Sequence, residues 1–231
     1  MFDVLKIEKK NKHSDYIDFL SKIDLNGYRE RFKGYKSVEE DLPKDIRILD
    51  FIYKYYWYDR EFLFFDEFIN LVISKIEPKL KLYNLKRNNH DVDSNLSYPL
   101  FLKGWIARQY RTWASIVTQI QFGYLYEENF PIDKVIMNTE LDEKGIDVRV
   151  QGKKDFEIKK VSKRTDININ FDVQKNIISI RYWTPKIEDL QSPRKKNGEL
   201  KVSVKHFFEN EQLDFLPNGF IIFNKKIFTN V

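Results

Sequence analysis

Apolar residues recur at intervals of three and four through the first half of the chain, and at every second position after Pro131. The first spacing predicts helices and the second predicts strands. Residues 13–25, "HSDYIDFLSKIDL", read as a helix with Ser14 as its N-cap. Residues 26–45 carry Gly27, Gly34 and Pro43 and read as an irregular connection. A second helix is expected over 45–57 and a third over 60–76, ending before Pro78. The polar stretch 86–97, "KRNNHDVDSNLS", has no period and reads as a loop. The longest helix is expected over 98–128, where Leu102, Trp105, Ile106, Gln109, Trp113, Ile116, Val117 and Ile120 follow helical spacing.

The second half offers short strands: "VRV" (148–150), "FEIKKV" (156–161), "INFDV" (169–173), "IISIRYW" (177–183), "LKVSVKHF" (200–207) and "GFIIF" (219–223). The last follows the turn signal "LPNG". Helices followed by a sheet predict an α/β (α+β) fold. One domain over 1–231 is expected, with 1–130 mainly helical and 131–231 mainly β and catalytic.

Composition narrows the chemistry. The chain has no cysteine, which removes disulfides, zinc–thiolate sites and cysteine nucleophiles. His13, His90 and His206 are too dispersed in sequence to suggest a histidine-rich metal site or a Ser-His-Asp triad. No apolar run approaches the roughly 20 residues of a membrane helix, and the N-terminus lacks a signal-peptide pattern. A cytoplasmic protein with no membrane partner is the expectation. The net charge of +5 makes nucleic acid a reasonable partner.

The chemistry concentrates in "GIDVRVQGKKDFEIKKV" (145–161). Alternation puts Glu157 and Lys159 on one face of a strand, with Phe156 and Ile158 on the other. If the strands pair across Gly152-Lys153-Lys154, Asp147 comes close to Glu157. Adjacent carboxylates repel unless a cation sits between them. Mg²⁺ suits such a site, because it takes hard oxygen ligands and leaves positions for water and phosphate. A lysine nearby stabilises charge during phosphodiester hydrolysis. The same residues also fit a solvated hairpin face with cross-strand ion pairs.

The pattern of an acid followed about ten residues later by Glu-x-Lys resembles the PD-(D/E)xK nuclease superfamily, with "GID" in place of the literal Pro-Asp. Four stretches in order further resemble the TaqI-type restriction endonucleases: "YKSVEEDLPKD" (35–45), "PLFLKGWIARQYRTWASIVTQIQFGY" (99–124), "ELDEKGIDV" (140–148) and "LPNGFIIF" (216–223). The resemblance implies a type II restriction enzyme with a companion DNA methyltransferase. It would be magnesium-dependent and cut both strands of a short palindrome, TCGA in that family. It also implies important aspartates five apart, matched by Asp142 and Asp147. Asp147 is then expected as the central metal ligand, Glu157 as the second, and Lys159 as the residue that orients water. Asp142 either binds a further metal or fixes its loop.

A palindromic target favours a homodimer on double-stranded DNA. Lys160, Lys163 and Arg164 follow the Glu-x-Lys strand, and Arg194, Lys195 and Lys196 form a basic turn that either contacts phosphates or is simply solvated. Arg108 and Arg111, on the long helix, face phosphates or pair with acids. Tyr182 and Trp183 read as core or dimer residues. Two other function classes share these features: a repair or junction nuclease with the same metal-dependent core, and a non-catalytic DNA-binding protein.

Overall fold

The structure, a computed structural model, describes residues 12–90, 96–209 and 211–230. The chain divides into two compact units. One holds the segment up to Ile23, Gln121–Ile136 and Ile146 onward; the other holds Asp24–Ile120 and Met137–Gly145.

The second unit is helical. It contains α2 (Leu25–Phe32), α3 (Leu49–Ile52), α4 (Phe65–His90), most of α5 (Tyr98–Asn129) and α6 (Thr139–Glu143); α1 (Lys12–Ser21) belongs to the first unit. The long helix lies where its apolar spacing puts it. Its Trp113 indole N–H donates to the Tyr56 hydroxyl at 2.9 Å, and Trp105 donates to the Ile46 carbonyl at 3.1 Å. Both indoles are fully buried with their one polar atom satisfied.

Several helix boundaries differ from expectation. The first helix begins before Ser14, so Ser14 lies inside it, and it stops at Ser21. The expected irregular stretch after it instead begins with α2. The Asp24 side chain caps this helix by accepting from the Gly27 backbone N–H at 2.9 Å. A Cβ at Gly27 would lie 2.1 Å from that carboxylate, so the glycine permits the cap. The expected helix over 45–57 divides into a 3₁₀ turn (Lys44–Ile46), α3 and a π-helix over Tyr53–Asp59. The wider π turn buries Tyr53, Tyr55, Tyr56 and Trp57 together, and it closes at Arg60 in a left-handed conformation.

The helix α4 runs through Pro78 to His90, past its expected end and into the expected loop. Pro78 is on an exposed position, while Phe68, Ile69, Val72, Ile76 and Leu80 continue a buried stripe past it. Packing of that stripe outweighs the helix-breaking cost of about 3 kcal/mol. Of the expected 86–97 loop, 91–95 lie outside the described residues.

The first unit is built on a five-stranded sheet of β1 (Val135–Ile136), β2 (Val148–Val150), β3 (Asp155–Lys160), β4 (Asn168–Asp172) and β5 (Ile177–Tyr182), in the order β1-β2-β3-β5-β4. Neighbouring strands are antiparallel except β3 and β5, which are parallel. Phe156, Ile158, Ile178 and Ile180 bury one face. The C-terminal part of α5 covers it, with the Phe122 and Tyr126 rings 5.3 and 5.7 Å from that of Phe156. A separate hairpin, β6 (Leu213–Phe215) and β7 (Ile221–Phe223), is pinned by the buried Gln121 amide, which donates to the Phe223 carbonyl and accepts from its N–H. The short helix α7 (Ile187–Gln191) and α8 (Val202–Glu209) complete the unit.

The expected strand over 200–207 is mostly α8. Val204 and Phe207 are buried while Val202 is exposed, the spacing of a helix rather than the alternation of a strand. Tyr182 joins the core, its ring 5.2 Å from that of Phe223. No helix among the described residues is long and apolar enough to cross a membrane.

Candidate active site

The β2–β3 hairpin forms as its alternation requires. Val148 pairs with Phe156 and Arg149 with Asp155, so Asp147 stands next to Glu157 at the entrance to β2. Gly152 takes φ 74° in the turn, a conformation that favours glycine. The backbone N–H of Asp147 donates to the Phe156 carbonyl at 2.9 Å, and the Ile158 N–H donates to the Asp147 carboxylate. A backbone amide from the neighbouring strand therefore holds this acid, only 8% exposed.

Glu157 is held from two sides. The Lys159 ammonium donates to Oε1, and the Ser179 hydroxyl donates to Oε2. Burial acts to raise the Glu157 pKa, but the hydrogen bonds from Lys159 and Ser179 and the charges of Lys159 and Arg181 hold it below the usual carboxylate range. Lys159 is 60% exposed and Glu157 only 21%, so the pair places its cation toward solvent and its anion against the sheet.

Asp142 belongs to the helical unit. It lies on α6, which Asn138 caps by accepting from the Leu141 N–H at 2.9 Å. Burial pushes its carboxyl up. The Tyr53 hydroxyl, 3.4 Å away, and the Arg47 charge oppose the shift, while Glu143 adds to it. Gly145, with φ 74°, ends this segment, and Asp147 follows in the other unit.

Among the described residues no three His, Cys, Asp or Glu side chains form a metal-holding group. The Asp147–Glu157 neighbourhood still fits a divalent cation. Its candidate ligands are carboxylate oxygens, beside the Lys159 ammonium, and Mg²⁺ is commonly held by one or two carboxylates with water filling the rest.

The basic candidates have different settings. Lys160 ends β3, and Lys163 and Arg164 sit at a 3₁₀ turn, all three exposed. Arg194 donates to the Gly198 carbonyl at 2.7 Å, and Lys195 lies 3.7 Å from Glu199, so the turn carrying them and Lys196 is internally tied. Arg111 pairs with Glu39 at 2.6 Å, and Arg108 is half-buried on α5.

Two further polar residues enter on β5. Parallel pairing places Ser179 beside Glu157 and Arg181 beside Lys159. The alternation of "IISIRY" put both on the polar face, but nothing local revealed which strand they would adjoin.

Comparisons with known proteins identify the family. The family model for the TaqI restriction endonuclease matches residues 13–231. The type II restriction enzyme TthHB8I of Thermus thermophilus is 28% identical over 223 residues, covering 90% of this chain and 82% of the relative. The type II restriction enzyme TaqI of Thermus aquaticus is 31% identical over 227 residues, covering 90% of this chain and 81% of the relative. No solved structure matches the chain. The hairpin with its acids and lysine thus sits in a chain that belongs, over nearly its whole length, to the TaqI restriction endonuclease family, and the protein is a type II restriction endonuclease, a site-specific deoxyribonuclease acting on DNA.

Proposed function

We propose that the protein hydrolyses one phosphodiester bond in each strand of a short palindrome, with Mg²⁺ held by Asp147 and Glu157. One observation carries the reading: Asp147, just before β2, accepts the N–H of Ile158, the β3 residue between Glu157 and Lys159, and the Glu157 carboxylate is itself held by Lys159 and Ser179. A divalent cation bound there lowers the pKa of water and offsets charge on the phosphate.

The chain's own residues do the remaining work. Asp147 and Glu157 supply fixed anionic oxygens. Lys159, the exposed member of its pair, turns its ammonium to the attacking water and the phosphate oxygens. The water oxygen bonds to phosphorus, one P–O ester bond breaks, and the departing oxygen takes up a proton as the water gives one up. Asp142, on α6 of the helical unit, binds a further cation or fixes its own loop.

The family resemblance supports TCGA as the target. A palindrome is met most simply by a homodimer, and a companion methyltransferase would protect host DNA in the cytoplasm. The test is digestion of unmethylated duplex DNA with magnesium or with EDTA, followed by sequencing of the ends. Magnesium-dependent fragments sharing TCGA are expected. Discrete fragments sharing another palindrome would overturn the target. Cleavage confined to branched or damaged DNA would overturn the restriction role.

A further inference from the structure

We propose that Arg181 is a substrate-binding residue that grips a backbone phosphate of the DNA beside the bond being cut. The inference rests on the reading of Glu157 and Lys159 as the catalytic strand.

Pairing of β3 with β5 and of β5 with β4 sorts the polar face into two rows across the strands. Glu157, Ser179 and Asn170 form one row. Lys159, Arg181 and Asn168 form the next, two residues further along β3 and β5. The first row lies beside Asp147 and is the cation-binding row. The second is cationic and rich in donors, with no acid in it. A DNA strand whose scissile phosphate meets the first row and Lys159 runs past Arg181.

Arg181 is exposed. Among the described residues it has no hydrogen-bond or salt-bridge partner, and its one electrostatic relation is with Glu157. Arg31, Arg87, Arg111 and Arg149 each hold a carboxylate instead. An arginine with its planar fork uncommitted, one strand away from a catalytic lysine, has the chemistry for bidentate phosphate recognition.

The experiment measures binding of duplex DNA in EDTA over a range of salt, for the wild-type protein, Arg181→Ala, Arg181→Lys and Lys226→Ala. Lys226 is an exposed lysine paired with Glu211 and controls for loss of one positive charge. Arg181→Ala is expected to weaken binding about 3- to 10-fold, equally on all sequences. It should also flatten the slope of log affinity against log salt by about one for each protomer on the DNA. Arg181→Lys keeps the slope, and Lys226→Ala changes neither quantity. Unaltered affinity and slope in Arg181→Ala, or an equal loss in Lys226→Ala, would overturn the proposal. Wild-type protein and Asp147→Asn are digested in parallel. An Asp147→Asn variant that still cuts defeats the catalytic reading, whereas an inactive one beside an unaffected Arg181→Ala defeats only the phosphate contact.

Discussion

Asp147 has two separable jobs, and a pair of substitutions pulls them apart. Its carboxylate accepts the Ile158 N–H while only 8% exposed, and it is the proposed central ligand. Asp147→Ala removes an acceptor at a charge-assisted bond and leaves a void, so it should lose about 1–3 kcal/mol of stability. Asp147→Asn keeps an oxygen for the Ile158 N–H and sheds a charge whose desolvation costs several kcal/mol. Its stability without metal should therefore match or exceed the wild type. Metal reverses the order. At ten times its dissociation constant a cation bound only to the folded state adds about 1.4 kcal/mol to the wild type and nothing to either variant. Urea unfolding in EDTA and in magnesium reads these differences, and a DNA digest reads the loss of cleavage in both variants. Equal destabilisation of the two variants in EDTA would show that the Ile158 bond does not anchor the strand. A magnesium shift that survives in Asp147→Asn would show that the cation sits elsewhere.

Two other outcomes are expected. Lys159→Met should reduce cleavage by about 100-fold or more; because the side chain is 60% exposed in a surface ion pair, stability should change by less than about 1 kcal/mol. Retained magnesium stabilisation distinguishes this from loss of the metal site, and unchanged cleavage would remove Lys159 from the chemistry. Tyr110 and Tyr126 are pushed up to about 12, both chiefly by burial, with Asp133 adding to the shift of Tyr126. A raised folded pKa gives stability that is complete below the unfolded value of 10.0 and lost as pH rises through about 12. Chemical denaturation against pH checks the window, and a flat stability from 10 to 12 would refute it.

The β2–β3 hairpin was legible because it is local. Its two runs, each alternating with a period of two, are separated by a glycine turn. The α5 helix was equally legible, since its Trp and Ile spacing persists over many turns. What escaped depends on tertiary contact. Pro78 looks like a stop until the buried stripe beyond it is counted. Val202 and Val204 imitate a strand until one proves exposed and the other buried. The aromatic run at 53–59 carries no mark that distinguishes a π turn from an α turn. Ser179 escaped because β4 stands between β3 and β5 in sequence but not in the sheet, and only a parallel pairing carries its hydroxyl to Glu157.

That parallel pairing also orders assembly. The β2–β3 and β4–β5 hairpins close over short turns, whereas joining β3 to β5 brings together residues separated by a whole intervening strand. Contact order ranks such a seam behind the hairpins. A chain with both hairpins but no seam has Asp147, Glu157 and Lys159 in place without the Ser179 clasp or the Arg181 charge. The cluster of Asp147, Glu157, Lys159, Ser179 and Arg181 is therefore complete only once the sheet has closed.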